Sequence, residues 1–367
     1  MVQSKSIPWK CSFYSLSWGK LISNILYSMG DQQALTASID DFFSRMGLTP
    51  QDQLECYRLV GQLYPGSSIT PAPCQGYCSL TMFVANDKVI QFRPYDYRLD
   101  LRITEAARKI YGEFAPDTKY ITTITNSKLL VYGMSRVQGV SFKDLRLGNA
   151  ENANSPENLS RLCEGFAIFL STAWTRRKRS DIELGVVGQS ISTRLAALSI
   201  SLPPRFRNTA RQVLRQICQV EDLPWVLTHG DIMAGNIMVE PSSGHLLGFV
   251  DWAEAEHLPF GISLYGLEEI LGEITSTGFQ YHPDSNALRE SFWNQLKKEI
   301  PDLQNKHVLQ AVQLARDLGV LLWHGIAFDN GAIDRVVEEG KDLEEIMRLD
   351  AFLGSHKSHF SNKSSKI

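Results

Sequence analysis

One segment of the sequence, residues 225–252, restricts the possible folds more than any other part of the chain. It contains three short apolar runs, which cover residues 225–227, 237–239 and 246–250. Short apolar runs bounded by polar turn residues are typical of buried strands. The turn-forming residues 241–244 predict a hairpin between the second and third runs, which would bring Asn236 and Asp251 to the same end of that hairpin.

The polar residues at the ends of these runs form a pattern with a chemical meaning. His229, Asp231 and Asn236 follow the first run, and Asp251 ends the third. The spacing H-x-D-x-x-x-x-N, followed by an aspartate at a strand end, is typical of phosphoryl-transfer sites. There a carboxylate orients a hydroxyl group and takes its proton, while an amide and a second carboxylate bind a divalent cation through oxygen. An isolated HGD turn would be an ordinary structural feature, whereas the whole set is far more specific.

The sequence before this segment predicts a small α+β region, and the sequence around and after it is mainly helical. Strands are predicted over 78–84, 88–93, 119–124 and 128–134, with one helix over 100–112. The short turn 85–87 should join the first two strands as a tight hairpin. Further helices are predicted over 204–220, 263–274, 285–299, 305–328 and 333–353.

Changes in composition divide the chain into four predicted segments. Helical spacing of apolar residues over 13–29 and 38–64 indicates an N-terminal extension that packs on the body of the protein. The last residues have the polar composition of a disordered tail, and the polar stretch 146–158 predicts a linker or an exposed loop. The predicted segments are a helical extension (1–65), a small nucleotide-binding lobe (66–137), a helical catalytic and acceptor lobe (138–353) and a disordered tail (354–367).

The motifs THGDIMAGNIMV and GFVDWAEAE resemble those of the aminoglycoside phosphotransferase/choline kinase-like family, and the resemblance extends over roughly residues 70–353. The stretches VIQFR, SRVQG, LPFGISLYGLEEILG and LDAFL are similar to a branch of fungal phosphotransferase-like proteins. The resemblance implies an α+β, two-lobed protein-kinase-like fold with a small β-rich N-lobe and a larger, mainly helical C-lobe. It also implies that Asp231 is the catalytic base, that His229 braces the loop, and that Asn236 and Asp251 bind Mg²⁺.

The resemblance further implies a binding site for ATP that involves the small lobe. Gly76 and Ser79 stand where the family has its phosphate-covering loop. Glu105 stands where the family has an acidic residue that pairs with a cation on strand three. The chain near Met134 and Val137 stands at the inter-lobe hinge, where the backbone would meet adenine.

Strand three departs from the family pattern. Where the family presents a lysine or arginine, VIQFR offers Gln91 and Arg93, which lie two residues apart on one face. If Arg93 is the inward cation, it can pair with Glu105 and hold phosphate with two hydrogen bonds. If Gln91 takes that place, the charge is missing. The chain would then be a kinase-fold protein that no longer phosphorylates, either a nucleotide-binding regulator or a repurposed biosynthetic catalyst.

The acceptor site is expected in the helical lobe, after Trp252. Acidic residues at 254, 256, 268 and 269 could bind a cationic amine, so the predicted acceptor is a small-molecule hydroxyl or amino alcohol; an exposed surface carboxylate is the ordinary alternative for each. Drug-modifying family members often carry a further aspartate that is absent from 258–263, and no D-F-G or A-P-E signature supports a protein kinase. The acceptor candidates are Glu254, Glu256, Tyr265, Glu268, Trp323, His324 and Phe328.

Composition excludes several classes of protein. The 37 basic residues are balanced by 40 acidic ones, for a net charge of −3, which argues against a nucleic-acid binder. The apolar stretches of the N-terminal region are interrupted by lysines, and no stretch predicts a membrane span. The six cysteines include a Cys74/Cys78 pair without the further ligands of a metal site. We therefore expect a reduced cytoplasmic protein with no obligate protein partner evident.

Overall fold

The computed structural model describes residues 24–73, 75–148, 155–176, 183–329 and 332–361. The chain divides into two compact units. The first unit comprises Met1–Glu105 and Pro116–Gln138, and the second comprises Ala106–Ala115 and Gly139–Ile367. No helix among the described residues is long and apolar enough to cross a membrane.

The first unit is built on a five-stranded antiparallel sheet in the order β1-β2-β3-β5-β4. The predicted hairpin is present, since β2 and β3 pair with Val84 opposite Lys88. The strands are β1 (Ile69–Pro71), β2 (Leu80–Val84), β3 (Lys88–Arg93), β4 (Thr118–Thr123) and β5 (Leu130–Ser135), and the helices that begin in this unit are α1 (Asn24–Arg45), α2 (Pro50–Leu63) and α3 (Leu101–Tyr111).

Helices α1 and α2 pack against the sheet. The single helix predicted over 38–64 is divided because Gly47 takes a φ of +65° and Thr49 caps α2, accepting a hydrogen bond from the backbone N–H of Asp52. Phe42 of α1 and Val60 of α2, both 0% exposed, share one apolar core with the sheet. The N-terminal helices therefore contribute to the core of the first unit, while the predicted residues 13–23 lie outside the described residues.

In its described residues, the second unit is mainly helical and carries four small antiparallel sheets: β6-β8-β9, β7-β10, β11-β12 and β13-β14. Its strands are β6 (Val140–Ser141), β7 (Trp225–Thr228), β8 (Ile237–Val239), β9 (Leu246–Phe249), β10 (Glu256–Pro259), β11 (Gly272–Thr275), β12 (Gly278–Tyr281), β13 (Ile326–Asp329) and β14 (Ala332–Val336). Its helices are α4 (Phe142–Leu147), α5 (Pro156–Thr175), α6 (Ile191–Ser201), α7 (Pro204–Arg215), α8 (Ile217–Glu221), α9 (Tyr265–Leu271), α10 (Ser285–Glu299), α11 (Lys306–His324) and α12 (Leu343–Ser361).

A core of aromatic rings supports the hairpin β8–β9. Phe169 of α5 lies 4.3 Å from Phe249 of β9, measured between ring centroids, and Phe166 lies 5.8 Å from Phe292 of α10. All four side chains are at most 1% exposed. The aromatic residues on this face of α5 are therefore part of the core, and they support the strand that leads to Asp251.

Several helix predictions were wrong at their boundaries because strands or breaks interrupt the predicted ranges. Helix α9 ends at Leu271 and is followed by the hairpin β11–β12, and α11 ends at His324 before β13. The range 333–353 begins in β14, and α12 starts only at Leu343. The range 204–220 is divided into α7 and α8. Apolar residues occur at similar density in short strands and in helix ends, so the pairing of β13 with β14 decides their state.

The C-terminal helix is longer than predicted. Helix α12 continues to Ser361, although the disordered tail was predicted from residue 354. Residues 362–367 lie outside the described residues, as do 149–154 of the predicted linker and 177–182, which include most of a basic run.

Candidate functional site

The predicted hairpin brings Asn236 and Asp251 to the same end of the sheet β6-β8-β9. Strands β8 and β9 pair with Ile237 opposite Phe249. The backbone N–H of Val250 then donates to the carbonyl of Asn236 at 3.0 Å. This pairing leaves Asp251 one residue beyond the ladder, and the hairpin prediction is confirmed.

Asp231 and Asn236 are joined by side-chain hydrogen bonds. The Asn236 amide nitrogen donates to Asp231 Oδ2 at 2.9 Å and to the Asp231 backbone carbonyl at 3.0 Å. Asp231 is 0% exposed and Asn236 is 2% exposed. The Asn236 Oδ1 atom is buried and makes no hydrogen bond within the described part of the chain. A buried amide oxygen of this kind is costly unless a further group binds it.

His229 links the loop to strand β9. Its Nδ1 accepts the backbone N–H of Asp231 at 3.2 Å, so the proton lies on Nε2, which donates to the carbonyl of Val250 at 2.9 Å. The ring packs edge to face on Trp252 at 4.7 Å. Burial lowers the pKa of His229 to about 4, which keeps the imidazole neutral. These are the contacts of a residue that braces the loop.

Backbone conformation at two further positions shapes the site. Gly230 has a φ of +81°, and a Cβ at this position would lie 2.1 Å from the carbonyl oxygen of Glu254. Asp251 has a φ of +61°, which is uncommon for a residue with a side chain. Left-handed backbone at a non-glycine residue is often found at functional sites.

In the first unit, Gln75 holds the loop that contains Gly76 and Ser79. The Gln75 amide donates to the carbonyls of Ala72 and Thr81 at 2.9 and 3.0 Å, and its oxygen accepts the Thr81 N–H at 2.7 Å. Ser79 is 2% exposed, and its Oγ lies 3.5 Å from Thr81 Oγ1. The sequence pattern singled out Gly76 and Ser79 but gave Gln75 no role, since its partners lie on β2 and beside β1.

The two candidates for the strand-three cation position contact each other. Arg93 Nε donates to Gln91 Oε1 at 3.0 Å, and Arg93 Nη1 donates to the carbonyl of Tyr97 at 3.4 Å. Arg93 is only 2% exposed. Glu105 is exposed, and no ion pair joins it to Arg93. The Arg93–Glu105 pair, which was expected if Arg93 is the inward cation, is not formed, and the guanidinium instead binds Gln91 and the Tyr97 carbonyl.

The two predicted hinge residues have different surroundings. Met134 lies inside β5, opposite Val89 of β3 and Thr118 of β4. Val137 follows the end of β5 and is half-buried. Val137 therefore lies outside the strand ladder, whereas Met134 lies within it.

Most of the predicted acceptor residues are engaged by the chain itself. The Glu256 carboxylate accepts the backbone N–H groups of Val187 and Gly188 at 3.1 and 2.9 Å. Glu268 is 3% exposed and forms ion pairs with Arg289 and Arg316 at 2.7 and 2.8 Å. Both carboxylates are therefore bound by groups of the chain itself.

The aromatic acceptor candidates also have internal partners. The rings of Tyr265 and Trp323 stack at 5.1 Å, and they are 2% and 6% exposed. His324 is 1% exposed, with its Nδ1 2.6 Å from a carboxylate oxygen of Glu345. Glu254 is half-buried, and its backbone carbonyl packs against Gly230 of the loop that carries Asp231.

Solved aminoglycoside phosphotransferases have a similar fold. The GDP complex of a mutant aminoglycoside 2′-phosphotransferase-IIIa matches with a TM-score of 0.53 at 14% identity, covering 85% of this chain and 98% of that chain. A GDP and kanamycin complex of APH(2″)-IIIa gives 0.48 at 14% identity, covering 84% and 99%. An ADP and streptomycin complex of APH(3″)-Id from Streptomyces rimosus gives 0.43 at 14% identity, covering 72% and 98%. The predicted protein-kinase-like α+β fold is confirmed by the first of these matches.

The match to a family model covers the part of the chain that contains the loop and hairpin. Residues 115–262 match the model of the phosphotransferase enzyme family. That range includes His229, Asp231, Asn236 and Asp251. Among curated proteins, none matches the chain. The predicted resemblance to the aminoglycoside phosphotransferases is therefore supported by a match to a family model over this part of the chain, and the match supports a phosphotransferase.

Proposed function

We propose that the protein transfers the γ-phosphoryl group of ATP to a hydroxyl group of a small molecule, with Mg²⁺ as cofactor. The observation that carries this proposal is the buried contact between Asp231 and Asn236. It lies at the end of the β8–β9 hairpin that Asp251 follows. The family match to residues 115–262 supports a phosphotransferase. The GDP bound in the structure with the 0.53 TM-score supports a nucleotide as the phosphoryl donor.

In this mechanism Asp231 is the general base. The Asn236 amide holds Asp231 Oδ2, which fixes the plane of the carboxylate and restrains its rotation. A carboxylate held in this way can orient the acceptor hydroxyl and accept its proton as the oxygen bonds to the γ-phosphorus and the bond from that phosphorus to the leaving ADP breaks. The protein then contributes mainly positioning and electrostatics, as is usual in phosphoryl transfer.

The donor set fits Mg²⁺. Asn236 Oδ1 is a buried oxygen with no hydrogen-bond partner in the described chain, and the Asp251 carboxylate lies beyond the same end of the hairpin. Among the described residues, no group of three His, Cys, Asp or Glu could hold a metal ion. A cation that keeps most of its ligands from water and substrate phosphates, as Mg²⁺ does, suits a site with two protein ligands. When bound, it would neutralise charge on the phosphates.

A second function is favoured by the surroundings of Arg93. Its guanidinium is buried against Gln91 and Tyr97, and Glu105 is exposed without an ion pair to it. A protein-kinase-like site normally uses such a cation on the nucleotide phosphates. A kinase-fold protein that no longer phosphorylates, acting as a nucleotide-binding regulator or in another reaction, is therefore the alternative.

Calorimetric titration of Mg·ATP, and of Mg·GTP in parallel, tests the nucleotide site. We expect magnesium-dependent binding that is weakened in both Asn236→Ala and Asp251→Asn. Exposed Asp302→Asn is the matched control and should bind like the wild type. Absence of binding by a protein whose circular dichroism shows an intact fold would refute the use of these nucleotides.

Turnover by Asp231→Asn then tests the base. We expect kcat for phosphorylation of an accepted alcohol, found by screening aminoglycosides and amino alcohols, to fall by about 10²–10⁴-fold. The Kd for Mg·ATP should change little, because Asp231 is not one of the proposed metal ligands. Wild-type turnover in this variant would refute Asp231 as the base, and nucleotide binding without transfer to any alcohol would favour the second function.

A further inference from the structure

Tyr265, the first residue of α9, contacts the loop that follows β7. Its hydroxyl accepts the backbone N–H of Ile232 at 2.9 Å, and Ile232 is the residue directly after Asp231. The Tyr265 ring stacks on Trp323 with an angle of 14° between the ring planes. A ring that is 2% exposed and stacked on a second ring has little freedom, so its hydroxyl occupies a fixed place.

The backbone of α9 lies directly against the same loop residue. A Cβ added to Gly266 would lie 2.3 Å from Ile232 Cγ2 and 2.9 Å from Ile232 Cβ. Ile232 itself is 0% exposed. Because no side chain fits at residue 266, the start of α9 and the loop approach as closely as the polypeptide allows. The loop is therefore held at Ile232 by packing as well as by the tyrosine hydroxyl.

Buried ion pairs anchor α9 to three other helices. Glu268 is bound by Arg289 of α10 and Arg316 of α11, and Glu269 accepts from Arg348 Nε of α12 at 2.9 Å. Removing one partner of a buried pair leaves an uncompensated charge, so such pairs resist displacement of the helix that carries them.

The last turn of α9 is also bound. The guanidinium of Arg146 donates to the backbone carbonyls of Glu269, Ile270 and Gly272 at 3.2, 2.8 and 3.0 Å. These are carbonyls at a helix end, which have no partner within the helix. Both ends of α9 are thus fixed, one against the loop and the other by an arginine.

The tyrosine hydroxyl keeps its proton at ordinary pH. Burial raises the pKa of Tyr265 well above its usual value, and the carboxylates of Asp231, Glu269 and Glu254 act in the same direction. The contact with Ile232 therefore persists over the pH range in which an enzyme assay is run.

We propose, on the basis of the phosphotransfer function above, that Tyr265 is a positioning residue for that reaction. Its hydroxyl fixes the peptide group between Asp231 and Ile232, and through that peptide it fixes the direction of the Asp231 carboxylate. The sequence pattern had placed Tyr265 among residues that touch the acceptor. Its role is instead to hold the base from the side of the protein core.

The test is Tyr265→Phe, which removes the hydroxyl and keeps the stacked ring. Tyr281→Phe is the matched control, because the Tyr281 hydroxyl donates to Glu268 Oε2 at 2.9 Å, away from the loop. With Mg·ATP hydrolysis as the activity probe, we expect kcat of Tyr265→Phe to fall about 10- to 100-fold, since small misplacements of reacting groups have effects of this size. The KM for ATP should stay within about twofold, because neither proposed metal ligand is touched.

Hydrogen exchange at the Ile232 amide gives a readout that does not depend on activity. We expect it to be at least about tenfold faster in Tyr265→Phe than in the wild type and in Tyr281→Phe, because the amide loses its hydrogen bond to the tyrosine hydroxyl. Unchanged kcat in Tyr265→Phe, or an equal fall in Tyr281→Phe, would overturn the positioning role. A wild-type protein that neither hydrolyses Mg·ATP nor transfers phosphate to any screened alcohol would refute the proposed function instead. The exchange rate would then decide the claim about Tyr265: faster exchange supports it and unchanged exchange overturns it.

Discussion

The burial of the His229 imidazole predicts how the free energy of unfolding depends on pH. Its pKa falls from an ordinary 6.5 to about 4 on folding, because burial removes the charged form from water. Between these values the unfolded chain binds a proton at this site and the folded chain does not. The contribution of this neutral imidazole to the free energy of unfolding is therefore fully present above pH 6.5, and it is lost as the pH falls toward 4. At about 1.4 kcal/mol per pKa unit, the whole effect is about 3 kcal/mol, of which about 2 kcal/mol is lost between pH 7 and pH 5.

The assay compares the free energy of unfolding in urea at pH 7 and pH 5 for the wild type and His229→Gln. A glutamine can still donate to the Val250 carbonyl, which accepts from His229 Nε2 at 2.9 Å, but it does not titrate. Other groups with pKa values lowered by burial, such as His324, are present in both proteins and cancel in the comparison. We expect the wild type to lose about 2 kcal/mol more than the variant over this range.

Equal losses of stability in the two proteins would refute this reasoning. Such a result would mean that the imidazole at 229 has the same pKa in the folded and unfolded chains. The bonds from His229 to the Asp231 amide and the Val250 carbonyl would then not hold a neutral ring, and the loop-bracing interpretation would fail with them.

Two further substitutions test the packing around the site. Glu268→Gln should lower the free energy of unfolding in urea by about 3–5 kcal/mol, because Arg289 and the buried Arg316 would lose the carboxylate they share, although Arg316 would keep its contact with Asp317. Glu273→Gln, at an exposed position, should change the free energy of unfolding little. An equally small effect of Glu268→Gln would contradict the role of the Glu268 ion pairs in stability. Gly230→Ala should destabilise the protein by more than Gly47→Ala, and abolish turnover, because both glycines have left-handed φ but only Gly230 faces an atom, the Glu254 carbonyl oxygen, within 4 Å. Equal effects in urea unfolding would show that backbone strain alone, at about 1–3 kcal/mol, accounts for both.

Local sequence patterns were sufficient for most of the first unit. The strand predicted over 88–93 has those boundaries in the structure, and the hairpin turn at 85–87 is where it was expected. Alternating apolar residues and a short turn act over a few positions, so their effect on structure can be read without knowing distant contacts. The division of the helix predicted over 38–64 is also local, although the capping role of Thr49 was missed.

Helix ends in the second unit could not be predicted in the same way. The chain after His324 leaves the helix because β13 pairs with β14, and α9 ends where β11 pairs with β12. A segment of four or five residues with mixed polarity has no strong preference of its own. Its state is decided by whether a partner strand lies beside it.

The functional residues also fall into those that sequence spacing predicts and those whose partners depend on tertiary packing. His229, Asp231 and Asn236 lie within eight residues, and one hairpin brings Asp251 to them, so the sequence by itself determined this constellation. The partners of other side chains were decided only by tertiary structure. Arg93 is engaged by Gln91 and Tyr97, Glu268 by arginines of two other helices, and Tyr265 by a loop amide 33 residues earlier. The physical reason is range: spacing along the chain specifies neighbours within a loop or hairpin, whereas burial and the choice of a distant partner depend on how helices and sheets pack.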